Sequence, residues 1–338
     1  MTRRSEESSL PALPEEFSFI RRHFLALAGE GALGLTDDAA VFRPRPDREL
    51  VVAADAMVEG VHFLPTDPPD TIGRKLLRTN LSDMAAMDAR PFGWLLTLSC
   101  PRNDGRHDDA WFAAFTAGLK QDQALFDVSL LGGDTTSTTG PLVLSLTILG
   151  DVSPGKALRR NGAQAGDGLW VTGTIGDGAL GLKALLGELP DPTGWLTERY
   201  HLPRPRLGLE LGNIAHAAMD VSDGLVQDTA HLARESGLGV RLDVDTVPLS
   251  DAARAVVTND GLRELCLTGG DDYELLLAVP EEQSVQLQAR CSARGVPVTR
   301  IGRFEPAGMG LKAVRRDGTS FPLSRSGWSH MGTDENFI

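Results

Sequence analysis

Three consecutive segments decide the fold class: VVAADAMVEGVHF at residues 51–63, TIGRKLLRTNLSDMAAM at residues 71–87 and WLLTLS at residues 94–99. The first and third contain short apolar runs typical of strands, and the second has the apolar spacing of an amphipathic helix. This alternation continues along the chain and favours a mixed α/β (α+β) fold over an all-α or all-β fold. We predict strands at Leu50–Ala54, Trp94–Ser99, Val128–Leu131, Leu142–Leu149, Leu169–Thr172, Val240–Val244 and Tyr273–Val279, and helices at Thr71–Met87, Asp108–Phe126, Asp177–Leu186, Leu207–Ala217, Val226–Ser236 and Glu281–Arg294.

The length and composition are those of a globular protein with two domains. The chain has 338 residues, of which 41% are hydrophobic and 23% are charged. At roughly 150 residues per domain, this length accommodates two domains. The segment from Asp151 to Asp167 is rich in glycine and basic residues and separates two mixed blocks. We therefore expect a disordered tail at residues 1–16, an N-terminal domain at residues 17–150 and a C-terminal domain at residues 151–338.

The charge and the cysteine content argue against several classes of protein. A formal net charge of -13 disfavours binding of nucleic-acid phosphates through a basic surface. The longest charge-free apolar stretch, Pro141 to Gly150, is too short to span a bilayer, and residues 1–16 lack the apolar run of a secretory signal. Three cysteines without a CxxC pair predict neither a disulfide framework nor a zinc site. We expect a cytoplasmic protein that binds neither nucleic acid nor membrane.

Aspartates recur at the ends of predicted strands and in glycine-bearing loops. They occur in LTDDAAV, VVAAD, LLGGDTT, MDVSDGL and TGGDDYE, and Asp83 shares a helix face with Asn80. Each aspartate alone is explained equally well as a turn or a helix cap. Because ligands collect beyond strand ends in α/β sheets, the set could converge in space.

Convergence of these carboxylates would require cations. Two like charges at about 4 Å repel by roughly 4 kcal/mol at an effective dielectric constant of about 20. Carboxylates without accompanying histidine or cysteine suit Mg²⁺, which commonly takes one or two carboxylates together with waters and substrate phosphates. The pattern therefore predicts magnesium and a phosphate-bearing substrate.

Two segments are similar to phosphate-binding loops. The segment GDVSPGK at residues 150–156 matches part of a P-loop, but Ala157 replaces the Ser or Thr that would hold Mg²⁺. We interpret it as an interdomain turn. The segment GTIGDG at residues 173–178 follows a predicted strand and opens a predicted helix. Its amides could bind an anion, or it could be a tight turn capped by Asp177.

Four further side chains are candidates for ligand binding. Arg159 and Arg160 suit bidentate phosphate binding, and equally a solvated basic turn. His62 and Trp328 are candidates for holding a heteroaromatic ligand, the indole by stacking or cation–π contact. Taken singly, each is also explained as a structural residue.

Nine ordered motifs between about Phe17 and Trp328 carry a family resemblance. They are FSFIRRHF, DDAAV, DAMVEGVHF, NLSDMAAM, GGDTTS, ALRRNGA, VTGTIGD, MDVSDGL and GGDDYEL. In this combination the chain resembles the thiamine-monophosphate kinase family, which phosphorylates thiamine phosphate to thiamine diphosphate with ATP. The wider superfamily, including aminoimidazole ribonucleotide synthetase, shares the fold and an Asp-lined ATP site but not the full set of motifs.

The resemblance implies a two-domain aminoimidazole ribonucleotide synthetase-like fold. The N-terminal domain would bind ATP and Mg²⁺, and its sheet would form a barrel with the sheet of a second subunit in a homodimer. The C-terminal α+β domain would complete the active site. ATP and thiamine phosphate are the implied partners, and several Mg²⁺ ions are the implied cofactors.

The resemblance also assigns residues by their positions in the motifs. The implied magnesium ligands are Asp38, Asp55, Asp83, Asp134, Asp220 and Asp223. The implied ATP contacts are Gly133, Asp134, Arg160 and Ser222, and the implied thiamine phosphate contacts are His62, Asp271 and Trp328. The chain departs from the family at Thr36, where Gly is common, and at Ala53-Ala54, where Ser-Thr is common. The second change removes any hydroxyl ligand there, although a backbone carbonyl could still coordinate.

The implied reaction needs no strong base, because its nucleophile is a phosphate oxygen that is already anionic near neutral pH. We predict direct in-line transfer, with the aspartates as metal ligands rather than acid–base catalysts. Three alternatives stay open: another ATP-dependent enzyme of the superfamily, a kinase of another phosphorylated heterocycle, and a non-catalytic sensor of nucleotide or thiamine phosphate. Selenophosphate synthetase is disfavoured because it has a reactive cysteine near its N-terminus, whereas the first cysteine here is Cys100.

Overall fold

The computed structural model describes residues 15–102, 104–325 and 327. Its α-helices are α1 (Glu15–His23), α2 (Pro69–Ala86), α3 (Asp109–Phe126), α4 (Asp177–Leu185), α5 (Trp195–His201), α6 (Leu225–Glu235), α7 (Asp251–Val256), α8 (Asp260–Thr268) and α9 (Ser284–Ala293). Its strands are β1 (Glu49–Val58), β2 (Arg90–Pro101), β3 (Ser129–Thr138), β4 (Val143–Val152), β5 (Gly168–Thr172), β6 (Ala217–Asp220), β7 (Gly239–Asp243), β8 (Leu275–Val279), β9 (Val298–Glu305) and β10 (Leu311–Val314). Short 3₁₀ turns lie at Leu25–Leu27, Glu30–Leu35, Val244–Thr246 and Glu281–Gln283.

The first sheet contains four strands in the order β1-β4-β2-β3. Strand β4 is antiparallel to both of its neighbours, and β3 runs parallel to β2. Residues alternate along β4, so Leu144, Leu146 and Ile148 are fully buried beneath α2 and α3. This face forms the core of the N-terminal half of the protein.

The opposite face of the first sheet is uncovered in this chain. Leu50 and Val52 of β1 are 49% and 60% exposed to solvent, and Leu95 of β2 is 36% exposed. Between them, Ser145 and Thr147 of β4 are partly exposed. The face is therefore apolar or small in character and lies open over three adjacent strands.

The second sheet contains six strands in the order β10-β7-β9-β5-β8-β6. Every residue of β5 and β8 is buried, as expected for strands whose two faces are both covered. Leu232 of α6 belongs to the hydrophobic cluster on one side, and Leu287 of α9 belongs to a second cluster. Helix α2 contacts β6 of this sheet as well as the first sheet, so it connects the two halves of the molecule.

The structure confirms all seven predicted strands and five of the six predicted helices, with shifted ends. The predicted helix at Leu207–Ala217 is wrong, because this segment forms turns and then enters β6. Glu210 has a left-handed φ of 55°, and a Cβ at Gly212 would lie 2.7 Å from the carbonyl oxygen of Lys156. The leucines of residues 207–217 instead pack into the core from this irregular segment.

Other elements were not predicted from the sequence. They are α1, α5, α7, α8, β6, β9 and β10. Helix α1 begins at Glu15, so Glu15 and Glu16 are helical rather than part of a tail. Residues 1–14, which make up the rest of the predicted tail, lie outside the described residues. In the described part of the chain, no helix is long and apolar enough to cross a membrane.

Candidate active site

Helix α2 places three polar side chains at the junction of the two sheets. Asn80 and Ser82 are fully buried. The side-chain oxygen of Asn80 accepts a hydrogen bond of 3.2 Å from the backbone N–H of Asp55 on β1. The hydroxyl of Ser82 donates to a carboxylate oxygen of Asp220, at the end of β6, over 2.8 Å. Helix α2 thus holds both Asp55 and Asp220 near its own Asp83.

The carboxyl groups at this junction repel one another. Burial, followed by the charges of Asp220 and Asp55, raises the pKa of Asp83 to about 8. Burial raises the pKa of Asp220, and the charge of Asp55 adds to this effect. Burial and the charge of Asp223 likewise raise the pKa of Asp55. Four of the six aspartates predicted as metal ligands therefore influence one another electrostatically, as expected for groups that converge.

The segment after β6 is held by a carboxylate that the sequence analysis missed. Asp228, in the first turn of α6, accepts a hydrogen bond of 3.1 Å from the backbone N–H of Asp223. Burial and the charges of Asp223 and Asp220 raise the pKa of Asp228 to about 8. A signal was present, because Asp228 shares the apolar side of α6 with Leu225 and Leu232.

Residues 269–274 form a loop that packs against the segment after β6. The backbone N–H of Asp271 donates to the carbonyl oxygen of Ser222 at 3.0 Å, and that of Tyr273 donates to Val221 at 2.8 Å. A Cβ at Gly270 would lie 2.2 Å from the carbonyl oxygen of Ser222, so only glycine permits this approach. Asp271 is thereby brought beside the aspartate cluster.

Successive residues of this loop point in different directions. Asp271 and Tyr273 adopt left-handed φ values of 71° and 51° and stay partly exposed. Asp272 and Glu274 are fully buried. Burial and the carboxylates of Asp271, Asp55 and Asp220 raise the pKa of the Tyr273 phenol, which places this ring at the same junction.

The buried member Asp272 settles the role of the GTIGDG segment. Its carboxylate accepts hydrogen bonds from the backbone N–H groups of Gly176 at 2.7 Å and Gly178 at 3.1 Å. These amides already donate to an internal carboxyl group, so the segment is structural. In the P-loop-like segment, Lys156 donates to the side-chain oxygen of Asn213 at 2.6 Å, which agrees with a structural turn.

His62 and Asp271 meet at a lysine that the sequence analysis did not single out. The Lys75 ammonium donates to Asp271 at 2.8 Å and to the carbonyl oxygen of His62 at 3.2 Å. The Nδ1 atom of His62 accepts a hydrogen bond of 3.0 Å from the backbone N–H of Val58. Two of the three residues assigned to thiamine phosphate therefore share one region. The third, Trp328, lies outside the described residues.

Arg160 approaches the aspartate cluster from the segment before β5. Its charge opposes the rise in the pKa values of Asp83 and Asp220. Its guanidinium lies 3.0 Å from Nε2 of His231, a residue of α6. Burial and the charges of Arg160 and Arg234 lower the pKa of His231, which therefore favours its neutral form. Arg160 is exposed and positioned to meet an anionic ligand.

The remaining predicted residues lie elsewhere in this chain. Asp38, Gly133 and Asp134 line a cleft of about 610 Å³ at β3. Asp55 on β1 pairs with Leu146 on β4, Leu146 pairs with Leu96 on β2, and Leu96 pairs with Gly133 on β3. Asp55 and Gly133 therefore lie at the same level of the sheet but on its two opposite edge strands. Three strand spacings separate them, which amounts to about 14 Å. The expected single cluster of six aspartates is therefore divided into two groups within one chain.

The aspartates at the domain junction suit Mg²⁺ because they offer oxygen donors, although they do not form a complete set of metal ligands. Among residues 15–102, 104–325 and 327, no three His, Cys, Asp or Glu side chains are placed to hold one metal ion together. Asp55, Asp83 and Asp220 nevertheless present oxygen donors whose ionised forms are disfavoured by burial and mutual repulsion. A cation would favour those forms, and Mg²⁺ commonly binds only one or two carboxylates beside phosphates.

The fold and its buried carboxylates together define a two-domain protein in which aspartates of both domains meet at the junction. Residues 36–152 match the N-terminal domain of AIR synthase related proteins, and residues 164–312 match the C-terminal domain. The chain is 44% identical over 336 residues to thiamine-monophosphate kinase of Caulobacter vibrioides, which covers 96% of this chain and 94% of that protein. The chain therefore belongs to the thiamine-monophosphate kinase family.

Solved structures of this family share the fold. The crystal structure of thiamine-monophosphate kinase from Stenotrophomonas maltophilia K279a aligns with a TM-score of 0.76 and 41% identity, over 85% of this chain and 90% of that one. AaThiL complexed with AMPPCP and TMP aligns with a TM-score of 0.73 and 30% identity, over 87% of this chain and 91% of that one. The second structure contains two phosphate-bearing ligands on the same fold.

Proposed function

We propose that this protein transfers the γ-phosphate of ATP to thiamine phosphate and so forms thiamine diphosphate. The observation that carries the proposal is the junction of the two domains, where mutually repelling aspartates meet the pair of Lys75 and Asp271. Family membership supports it, because a relative of known structure binds AMPPCP and TMP on this fold. The two ligands match the two substrates of the proposed reaction.

The residues divide into three groups by proposed role. Asp55, Asp83, Asp220 and Asp223 would hold Mg²⁺ at the domain junction, and Asp38 and Asp134 would do so from the cleft at β3. Gly133, Asp134, Arg160 and Ser222 would bind ATP. His62, Asp271 and Trp328 would bind thiamine phosphate. When bound, Mg²⁺ supplies positive charge that offsets the repulsion between the two phosphate groups.

The chain's own contribution to the reaction is alignment and charge. Arg160 faces the junction as a fixed cation suited to a phosphate oxygen. Asp271, held by Lys75, would orient the acceptor from beside the aspartates. The attacking phosphate oxygen of thiamine phosphate is already anionic, so the aspartates need not remove a proton from it. The transfer is therefore direct, without a phosphorylated protein.

A labelling experiment tests both the substrate and the route. The purified protein is incubated with Mg²⁺, thiamine phosphate and ATP labelled in the γ-phosphate, and the products are separated and identified by mass spectrometry. We expect the label in thiamine diphosphate, and no labelled protein when thiamine phosphate is left out. Label that reaches only inorganic phosphate contradicts the proposed function, whereas a stable labelled protein contradicts direct transfer.

The same assay separates the alternatives. Ala53-Ala54, which directly precedes Asp55 on β1, leaves room for a kinase of another phosphorylated heterocycle. If so, another heterocyclic phosphate would compete with thiamine phosphate and acquire the label faster. Tight binding of ATP without release of ADP would identify a non-catalytic sensor.

We further propose that two copies of the chain pair through the open face of the first sheet to form a barrel. The support is the uncovered apolar surface at Leu50 and Val52, together with the division of the site residues between opposite edges of this sheet. A second copy could bring its β3 edge to the β1 edge of the first and so reunite the two groups.

The dimer proposal has a matched pair of variants. Val52→Asp places a charge on the open face, and Val285→Asp places one on α9, where Val285 is 77% exposed. Light scattering should give a dimer for the parent protein and for Val285→Asp, and a monomer for Val52→Asp. Co-expression of Asp134→Asn with Asp220→Asn should restore activity that neither variant has alone. A monomeric parent protein contradicts the proposal.

We place the protein in the cytoplasm. The three cysteines are free, and Cys266 and Cys291 are buried, as in proteins that stay reduced. Fractionation of cells that carry a tagged copy tests this, and recovery with an exported fraction contradicts it.

A further inference from the structure

Lys75 is buried between the two domains, where it makes two hydrogen bonds and a cation–π contact. Its side chain is 3% exposed. The ammonium donates to a carboxylate oxygen of Asp271 at 2.8 Å and to the carbonyl oxygen of His62 at 3.2 Å, and it lies 3.8 Å from the centre of the Tyr200 ring. A lysine ammonium has three N–H groups. Two of them are used in these hydrogen bonds, and the charge of the ammonium also lies against the Tyr200 ring.

The three partners of Lys75 come from different parts of the chain. His62 follows β1 of the first sheet, Asp271 belongs to the loop before β8 of the second sheet, and Tyr200 lies on α5. Lys75 itself is in the second turn of α2. A single buried charge therefore connects two elements proposed to face thiamine phosphate, one from each domain.

Asp271 needs such a partner to keep its orientation. Its backbone has a left-handed φ of 71°, which is costly for a residue with a side chain. Its neighbours Asp272 and Glu274 are fixed by buried hydrogen bonds, but the Asp271 side chain is 31% exposed. Lys75 holds one carboxylate oxygen, and the Tyr273 phenol also lies against this partly exposed carboxylate.

Resting on the proposed function, we propose that Lys75 is a positioning residue for the acceptor substrate. It fixes the Asp271 carboxylate and the His62 loop in the geometry that binds thiamine phosphate, without touching thiamine phosphate or ATP. Its effect is therefore confined to the acceptor side of the reaction and acts through Asp271.

A double-mutant cycle tests this role. The variants are Lys75→Met, which keeps the length of the side chain without its charge, Asp271→Asn, and the combination of both. We expect each single variant to raise the KM for thiamine phosphate about tenfold or more and to change the KM for ATP less than about twofold. The double variant should lose little more than Asp271→Asn alone, because both changes break one interaction.

A surface pair provides the matched control. Lys183 of α4 also pairs with a carboxylate, that of Glu188 at 2.7 Å, but its side chain is 37% exposed. Lys183→Met should leave both KM values unchanged. Additive losses in the double variant, equal changes in the two KM values, or parent-like kinetics of Lys75→Met would overturn the proposal.

A measurement without turnover separates this proposal from the proposed function. Hydrogen exchange of residues 269–274 in the substrate-free protein should be faster in Lys75→Met than in the parent, and close to the parent in Lys75→Arg, which retains the charge. If Lys75→Met fails to fold, Lys75→Arg and Asp271→Asn are compared by the same measurement. The positioning role then requires exchange close to the parent in Lys75→Arg and faster exchange in Asp271→Asn. Unchanged exchange refutes the positioning role even if the parent forms thiamine diphosphate. A parent that forms none, with the expected exchange pattern, refutes only the function.

Discussion

Replacing Asp83 by asparagine is expected to stabilise the metal-free protein while removing most of its Mg²⁺-dependent activity. Burial and the carboxylates of Asp220 and Asp55 raise the pKa of Asp83 from 3.8 to about 8. At about 1.4 kcal/mol per pKa unit, ionised Asp83 lowers the free energy of unfolding by at most roughly 6 kcal/mol. Water reaches part of the side chain and screens its charge, so we expect a gain of about 1–3 kcal/mol.

The size of this stabilisation depends on pH in a defined direction. Because the pKa of Asp83 is higher in the folded protein than in the unfolded chain, the folded protein binds more protons between about pH 4 and pH 8. Stability therefore falls as the pH rises through this range. The gain from Asp83→Asn should be largest near about pH 8.5 and small near about pH 5, where the folded protein already has a neutral Asp83.

The assay is urea unfolding of both proteins in the presence of a chelator at the two pH values, together with ADP production in Mg²⁺. Asp70→Asn is the control on the same helix, since Asp70 lies in the first turn of α2. Losing a negative charge there should slightly lower stability, by about 0.3–1 kcal/mol, which is the opposite sign. Destabilisation by Asp83→Asn at both pH values, or full activity of this variant, would refute the reasoning.

Three further changes have defined outcomes. Gly133→Ala places a Cβ 1.8 Å from the carbonyl oxygen of Leu96, so β2 and β3 must move apart. We expect the free energy of unfolding, measured in urea, to fall by about 2–4 kcal/mol. The control Gly140→Ala should change it little, because its Cβ would lie 3.5 Å from its nearest neighbour. Asp272→Ala leaves the buried amides of Gly176 and Gly178 without an acceptor and should cost about 2–4 kcal/mol; an unchanged melting temperature would show that water replaces the carboxylate. Mg²⁺ should raise the melting temperature more near about pH 8 than near about pH 5.5. The reason is that the raised pKa values of Asp55, Asp83 and Asp220 leave fewer ionised ligands at the lower pH. Equal shifts of the melting temperature at both pH values would contradict this.

The fold class and much of the site were accessible from the sequence because both rest on local patterns. Alternation along Leu142–Leu149 follows directly from burial of one face, and β4 has this pattern. The placement of Asp83 on one helix face with Asn80 also follows from local spacing, whereas the short strand β6 before Asp223 was not predicted. These residues converge because helix α2 contacts both sheets.

The errors arose where long-range packing decides the structure. Residues 207–217 have apolar spacing that suggests a helix, but their leucines enter the core from a segment with a left-handed residue at Glu210. The division of Asp134 from Asp55 depends on strand order, which spacing does not reveal. Lys75 was missed because a buried charge is recognised by its partner, and Asp271 lies far away in sequence. Asp228 was missed although its place on the apolar side of α6 was a local signal.

The most direct test of the account is the yield of ADP and thiamine diphosphate from the purified protein with ATP, thiamine phosphate and Mg²⁺. We predict that both products form in equal amounts, that ADP production stops when thiamine phosphate is omitted, and that both products disappear when Mg²⁺ is chelated. ADP production that continues without thiamine phosphate, or thiamine diphosphate that forms after chelation, would contradict the central claim.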